Sequence, residues 1–227
     1  ATDTGTDPNK ADSDGDRLSD GDEVADPFSD PNDPNDPPTP LENTLIGRWS
    51  FEPGEELVDL TGNWPDLSLE GDAQIVDGQL DVNGTGTTAT GWAYTTGGDY
   101  EGPEIRDKTL VSWVTLENLE EVVKAGSALT IDKVGSDQFD GIIFAERELN
   151  RWMNGSDNYQ RTMNWTPGFA ETAPGEQIMM AITYEDLGGN RVRVTGYRNG
   201  EEIGSYEDDP IGVWTTGDAE VIFGKRH

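Results

Sequence analysis

Twelve consecutive residues, Asp12-Ser-Asp14-Gly-Asp16-Arg-Leu18-Ser-Asp20-Gly-Asp22-Glu23, combine residue type and spacing in a way that specifies a chemistry. Asp12, Asp14, Asp16, Asp20 and Glu23 occupy positions 1, 3, 5, 9 and 12, the ligand order of a twelve-residue calcium loop, with the backbone carbonyl of Leu18 at position 7. Carboxylates this close repel one another, and a hard divalent cation that takes about six to eight oxygen ligands closes such a segment. Position 6 departs from the pattern: Arg17 stands where glycine is usual, and a left-handed turn there costs a non-glycine residue about 1–2 kcal/mol. Asp3, Asp7, Asp26 and Asp30 flank the loop at looser spacing and extend the candidate ligand set. A run of acids also describes a solvated linker; agreement at all five acidic positions favours calcium.

Further along, Glu146 and Glu148 are the nearest thing to a catalytic carboxylate pair. Retaining glycosidases hold two carboxyl groups about 5 Å apart, and alternate residues of a strand share one face. Arg147 and Arg151 equally suit a balanced, solvated surface. Residues 137–161 offer a better case for binding. Arg151, Trp152, Asn154, Tyr159 and Arg161 supply flat rings for the apolar side of a sugar and planar polar groups for its hydroxyls; an arginine there also suits a sulfate or uronate. The competing reading is a sandwich edge with Trp152 packed into the core. Trp92, Tyr94 and Tyr100 form a second candidate patch, whereas Trp49, Trp113, Tyr184 and Tyr197 fall within strand patterns and read as core. Asp59, Asp137 and Asp140 are candidates for a further calcium, without diagnostic spacing.

Composition narrows the choice. Forty-six acids against 15 Lys and Arg give a formal charge of −31, which opposes nucleic acid and anionic membranes as partners. There is no cysteine, and the single histidine is His227, so thiol chemistry and histidine triads are excluded. No apolar run approaches the ~18 residues that mark a membrane-spanning helix. Calcium loops of this acidity suit an extracellular location, and no signal peptide is visible in the sequence.

These residues need elements to hold them. Prolines at 37, 38 and 40 read as a stiff connector, which divides the chain into a calcium segment (1–36), a linker (37–43) and a β domain (44–227). Alternating Val, Ile, Thr, Tyr and Trp predict strands at 44–52, 73–76, 79–82, 109–117, 127–132, 141–146, 178–184, 191–197, 202–206 and 220–224. Asn199-Gly200 and Asp77-Gly78 are hairpin signals, because a type I′ turn needs two residues that accept positive φ. Residues 117–124 are the one helical candidate, or an irregular crossover. The fold class expected is all-β, an antiparallel sandwich.

The order "GTDPN…DSDGDRLSDGDE…DP…DPN" resembles the thrombospondin type 3 calcium repeat over about the first 36 residues. That resemblance implies a chain wrapped around calcium ions, with Asp12, Asp14, Asp16, Asp20 and Glu23 as ligands, and a fragment of a longer array. From residue 44 onward, "LIGRWSF", "TLVSWV" and "AITY…VTGYRNGEEIGSY" resemble the LamG-like members of the concanavalin A-type lectin superfamily, which implies a jelly roll. Such domains continue past the "IFGKRH" strand, so this one is expected to lack its last strand or to complete its first sheet differently. Together these readings give a secreted or cell-surface, non-catalytic module that binds calcium and either glycan or a neighbouring protein subunit. A structural link in an extracellular fibre and a glycan-active enzyme are the rivals.

Overall fold

The computed structural model describes residues 5, 6, 10, 13, 20, 31, 32, 45–82, 90–119 and 126–226. The chain divides into two compact units, Ala1–Ile46 and Gly47–His227. In the first, the two carboxylate oxygens of Asp20 accept the backbone N–H and the hydroxyl of Ser13, at 2.6 and 2.7 Å. The other candidate calcium ligands, Asp3, Asp7, Asp12, Asp14, Asp16, Leu18, Glu23, Asp26 and Asp30, lie outside the described residues.

The second unit is an antiparallel jelly-roll sandwich. Its strands are β1 (Ser68–Glu70), β2 (Gln74–Val76), β3 (Gln79–Asp81), β4 (Trp92–Tyr94), β5 (Lys108–Thr115), β6 (Gly126–Lys133), β7 (Phe139–Phe144), β8 (Trp152–Ser156), β9 (Gln177–Gly188), β10 (Arg191–Arg198), β11 (Glu201–Asp208) and β12 (Ala219–Phe223). One sheet has the order β1-β4-β12-β6-β7-β8, the other β11-β10-β9-β5, and β2 pairs with β3 alone. Alternation sets the inner faces. Ile178, Met180, Ile182 and Tyr184 of β9 and Val192 and Val194 of β10 are buried, while Arg191 and Glu185 point out. The opposing β7 and β8 are buried along their whole length. On their far face Gly155 is obligatory, since a Cβ there would lie 2.4 Å from Cγ1 of Ile143.

Both hairpin signals form as expected: Asn199 and Gly200 take φ of 50° and 84°, Asp77 and Gly78 take 51° and 74°, and each pair joins adjacent strands. The strand expected over 44–52 does not form in its described part. Phe51 sits at φ 59°, outside extended geometry, and Trp49 and Phe51 instead pack edge-on against Phe223, with centroids 5.5 and 5.7 Å apart. The strand expected over 141–146 stops at Phe144, because Ala145 turns left-handed (φ 56°) and its N–H bonds back to the carbonyl of Arg151 at 2.9 Å. Residues 117–119 are not helical. Among the described residues three strands escape the sequence reading: β1, β4 and β8.

Candidate functional site

A dry ionic cluster underlies one rim of the sandwich. Asp140, in β7, accepts a hydrogen bond from Nε of Arg161 at 2.8 Å and pairs with Nζ of Lys108, from β5, at 2.9 Å. Nη2 of Arg161 continues to Asp157 at 2.8 Å and to the carbonyl of Phe139 at 3.0 Å. The Lys108 ammonium also lies 4.3 and 4.4 Å from the ring centroids of Tyr184 and Trp214. Burial pulls the Lys108 pKa down in spite of Asp140, and burial pushes the Tyr184 phenol well up. Charges this fully paired and shielded hold geometry. What they hold is the turn after β8: the Arg161 N–H bonds Oγ of Ser156 at 2.9 Å, and Ser156 shares a 2.8 Å hydrogen bond with Thr162.

That turn is conformationally costly. Asn158 and Tyr159 both occupy the left-handed region, at φ 47° and 58°; asparagine tolerates it, whereas for the tyrosine it costs about 1–2 kcal/mol that surrounding contacts must offset. Its consequence is outward display: Tyr159 is 51% exposed, with the Arg147 guanidinium 5.7 Å from its ring centroid. Beside it opens a depression of about 290 Å³ lined by Asp137, Phe139, Ser156, Asp157, Asn158, Tyr159 and Arg226. Arg226 is tied to Glu146 and lies 5.8 Å from the Phe139 ring centroid. An exposed ring, two carboxylates, an amide and a guanidinium therefore converge on one concave patch, the composition that orients a polyhydroxylated ligand.

The five residues singled out for ligand binding separate into different environments. Trp152 is 3% exposed, its ring 4.8 Å from that of Phe144 and its Nε1 donating to Glu171 at 3.1 Å. No sugar reaches that ring, so Trp152 belongs to the core. Asn154 is buried, donating to the carbonyl of Arg161 at 2.7 Å and accepting from the Tyr206 hydroxyl. Arg161 is 1% exposed and belongs to the ionic cluster. Arg151 lies partly exposed beside Glu148, at 3.8 Å, and donates to the carbonyl of Pro167. Tyr159 alone faces the depression. Arg226 joins it from the opposite end of the sequence, where only the basic dipeptide Lys225-Arg226 gives a hint.

Other expectations also change. Glu146 and Glu148 share no strand face: Glu146 is buried against Arg226, and Glu148 is at the surface with Arg151. Tyr100 is core, its hydroxyl donating to the carbonyl of Pro103 at 2.6 Å and its pKa pushed up to about 12 by burial and then by the charge of Asp59. Trp113, expected inside, is 65% exposed. Asp59 is taken up locally by hydrogen bonds from Arg48, Thr61, Asn63 and Trp64, and Asp140 by its two cations. Among the described residues no three carboxylates gather as a metal site. In the first unit, Asp20 folding back on Ser13 brings the ninth loop position against the second.

No family model matches the sequence, and no curated protein does. The structure is similar to domain 4 of AbnA, a GH43 extracellular arabinanase from Geobacillus stearothermophilus, solved in complex with arabinotriose. The TM-score is 0.52 and the identity 16%, over 80% of this chain and 84% of that one. Fainter likenesses reach a prokaryotic β-1,3-1,4-glucanase (lichenase) derived from a mouse hindgut metagenome (TM-score 0.38, 12% identity, 67% and 70% covered) and the metal-free carbohydrate recognition domain of Emp46p (0.40, 10%, 70% and 81%). What is shared with domain 4 is the fold, an antiparallel jelly-roll sandwich.

Proposed function

We propose that this chain is a non-catalytic, extracellular carbohydrate-binding module whose acidic front segment is stiffened by calcium. The observation that carries the reading is the rim depression in which Tyr159 is displayed by a strained turn beside Asp137, Asp157, Asn158 and Arg226. A ring held out at this cost, above an ionic cluster that anchors its turn, is built for contact with a ligand. Asp137 and Asp157, together with a net charge of −31, favour a neutral oligosaccharide over a sulfated or uronic one. The arabinotriose bound to domain 4 of AbnA supports sugar as the ligand class. Glu146 is committed to Arg226, which supports a binding role over hydrolysis. Asp12, Asp14, Asp16, Asp20 and Glu23, with the carbonyl of Leu18, would hold the calcium of a thrombospondin-type-3-like segment.

A glycan array probed with the whole chain in calcium tests this reading. Neutral oligosaccharides should bind, and Tyr159→Ala should weaken binding by about tenfold or more while leaving the melting temperature unchanged. An array without hits among neutral glycans, or a Tyr159→Ala chain that binds like the wild type, refutes it. Reducing-sugar release that disappears in Glu146→Gln would instead establish an enzyme.

A further inference from the structure

Among the described residues the sandwich has four edge strands, and three of them are protected against pairing with another chain. β1 has only three residues. β8 is buried throughout. β11 carries Glu201, Glu202, Glu207 and Asp208 and shifts register against β10, the usual combination of charge and irregularity that blunts an edge. β5 has none of these defences. It runs eight residues, pairs with β9 in unbroken register on one side, and among the described residues pairs with no strand on the other. No carboxylate lies between Asp107 and Glu117, in a chain with 46. On its outer face Val111 is 38% and Trp113 65% exposed. On its inner face Ser112 and Val114 remain only half-buried, so the seam between the sheets is open here.

The pattern of this strand also identifies what would cover it. Thr109-Leu-Val-Ser-Trp-Val-Thr115 is nearly self-complementary about Ser112. In an antiparallel pairing centred there, Thr109 stands opposite the partner's Thr115, Leu110 opposite the partner's Val114, and Val111 opposite the partner's Trp113. Each is a favourable cross-strand combination, the aromatic with β-branched pair above all, and the two-fold axis supplies each twice. Leu110, Ser112 and Val114 would close the open seam, while Val111 and Trp113 would cover one another.

We infer that β5 is a self-association edge, through which two copies of this chain join their four-stranded sheets into one across a two-fold axis. The inference goes beyond the glycan reading and uses none of the residues at the Tyr159 depression. The electrostatics set its conditions. Two molecules of charge −31 repel, and the pairing brings Asp107 near the partner's Glu117 at either end, so association should tighten as salt screens them.

Sedimentation velocity of the full chain, in chelator and over a series of protein and salt concentrations, reads this directly. We expect a reversible dimer that tightens with salt and weakens by about tenfold or more in Trp113→Glu. Ser112→Cys gives a second readout that does not depend on replacing the tryptophan. Directly opposed residues of an antiparallel pair have Cα atoms about 4.5–5.5 Å apart, within disulfide range, and the chain has no other cysteine. Mild oxidation should therefore cross-link Ser112→Cys, and not a Glu201→Cys control on β11. A monomer under every condition, or equal cross-linking of both variants, overturns the inference. So does a Trp113→Glu chain that loses glycan binding while still dimerising, which would assign the face to sugar.

Discussion

At Asp140 one buried carboxylate bridges two buried cations, Lys108 and Arg161, and Asp157 supplies the second negative charge. Removing Asp140 leaves the buried Lys108 without a carboxylate partner and Arg161 with Asp157 alone, two like charges then facing one another with no anion between them. Urea unfolding of Asp140→Ala should show a loss of about 3–5 kcal/mol. A loss below about 1 kcal/mol would mean the cations had found other partners. The same network explains why the candidate site was only partly readable from sequence. Arg151, Trp152, Asn154, Tyr159 and Arg161 have the side chains a sugar site uses, and four of them are occupied elsewhere or buried. Strand alternation turns Trp152 and Asn154 inward on β8, and Asp140, twenty-one residues away, claims Arg161. Only Tyr159, held in a left-handed turn, remains available.

Cross-strand register governs the next level. Asp132 in β6 stands opposite Glu220 in β12. Burial, then the hydrogen bond and charge of Glu220, raise the Asp132 pKa to about 7, with Asp137 adding to the rise and the Lys133 N–H opposing it. Its unfolded value is near 3.9. The folded state thus binds the extra proton, and the stability this contributes is complete below about pH 4 and lost as the pH rises through about 7. Asp132→Asn should remove that part of the pH dependence, so melting curves of the two proteins should diverge in slope across this window. Parallel slopes would show that the raised pKa carries no stability. Elements with local signals were legible. Asn199-Gly200 fixed a hairpin because positive φ at two adjacent residues is a purely local demand. The first expected strand failed because Phe51 leaves extended geometry, in a segment where aromatic packing on Phe223 decides the path.

For the molecule as a whole, charge is one-sided, at a formal −31. Residues 1–40 hold 12 acids and two bases, so the front segment should resist opening better when cations offset its repulsion. Limited proteolysis should cut residues 1–36 quickly in chelator and slowly in millimolar calcium, with the sandwich spared in both. Identical cleavage in the two conditions would remove calcium from the proposal. A charge of this size also explains the salt dependence expected for pairing through β5, the one long edge without carboxylates.

The acidic spacing at the front, the alternating strands and the two turn dipeptides are properties of neighbouring residues, and sequence alone determined them. Partnerships across the fold were decided elsewhere. Lys108 with Asp140, Glu146 with Arg226, and Trp113 facing solvent on an open edge all depend on which strands lie side by side. That order is set by the packing of two sheets around a shared core, which no local window of residues contains.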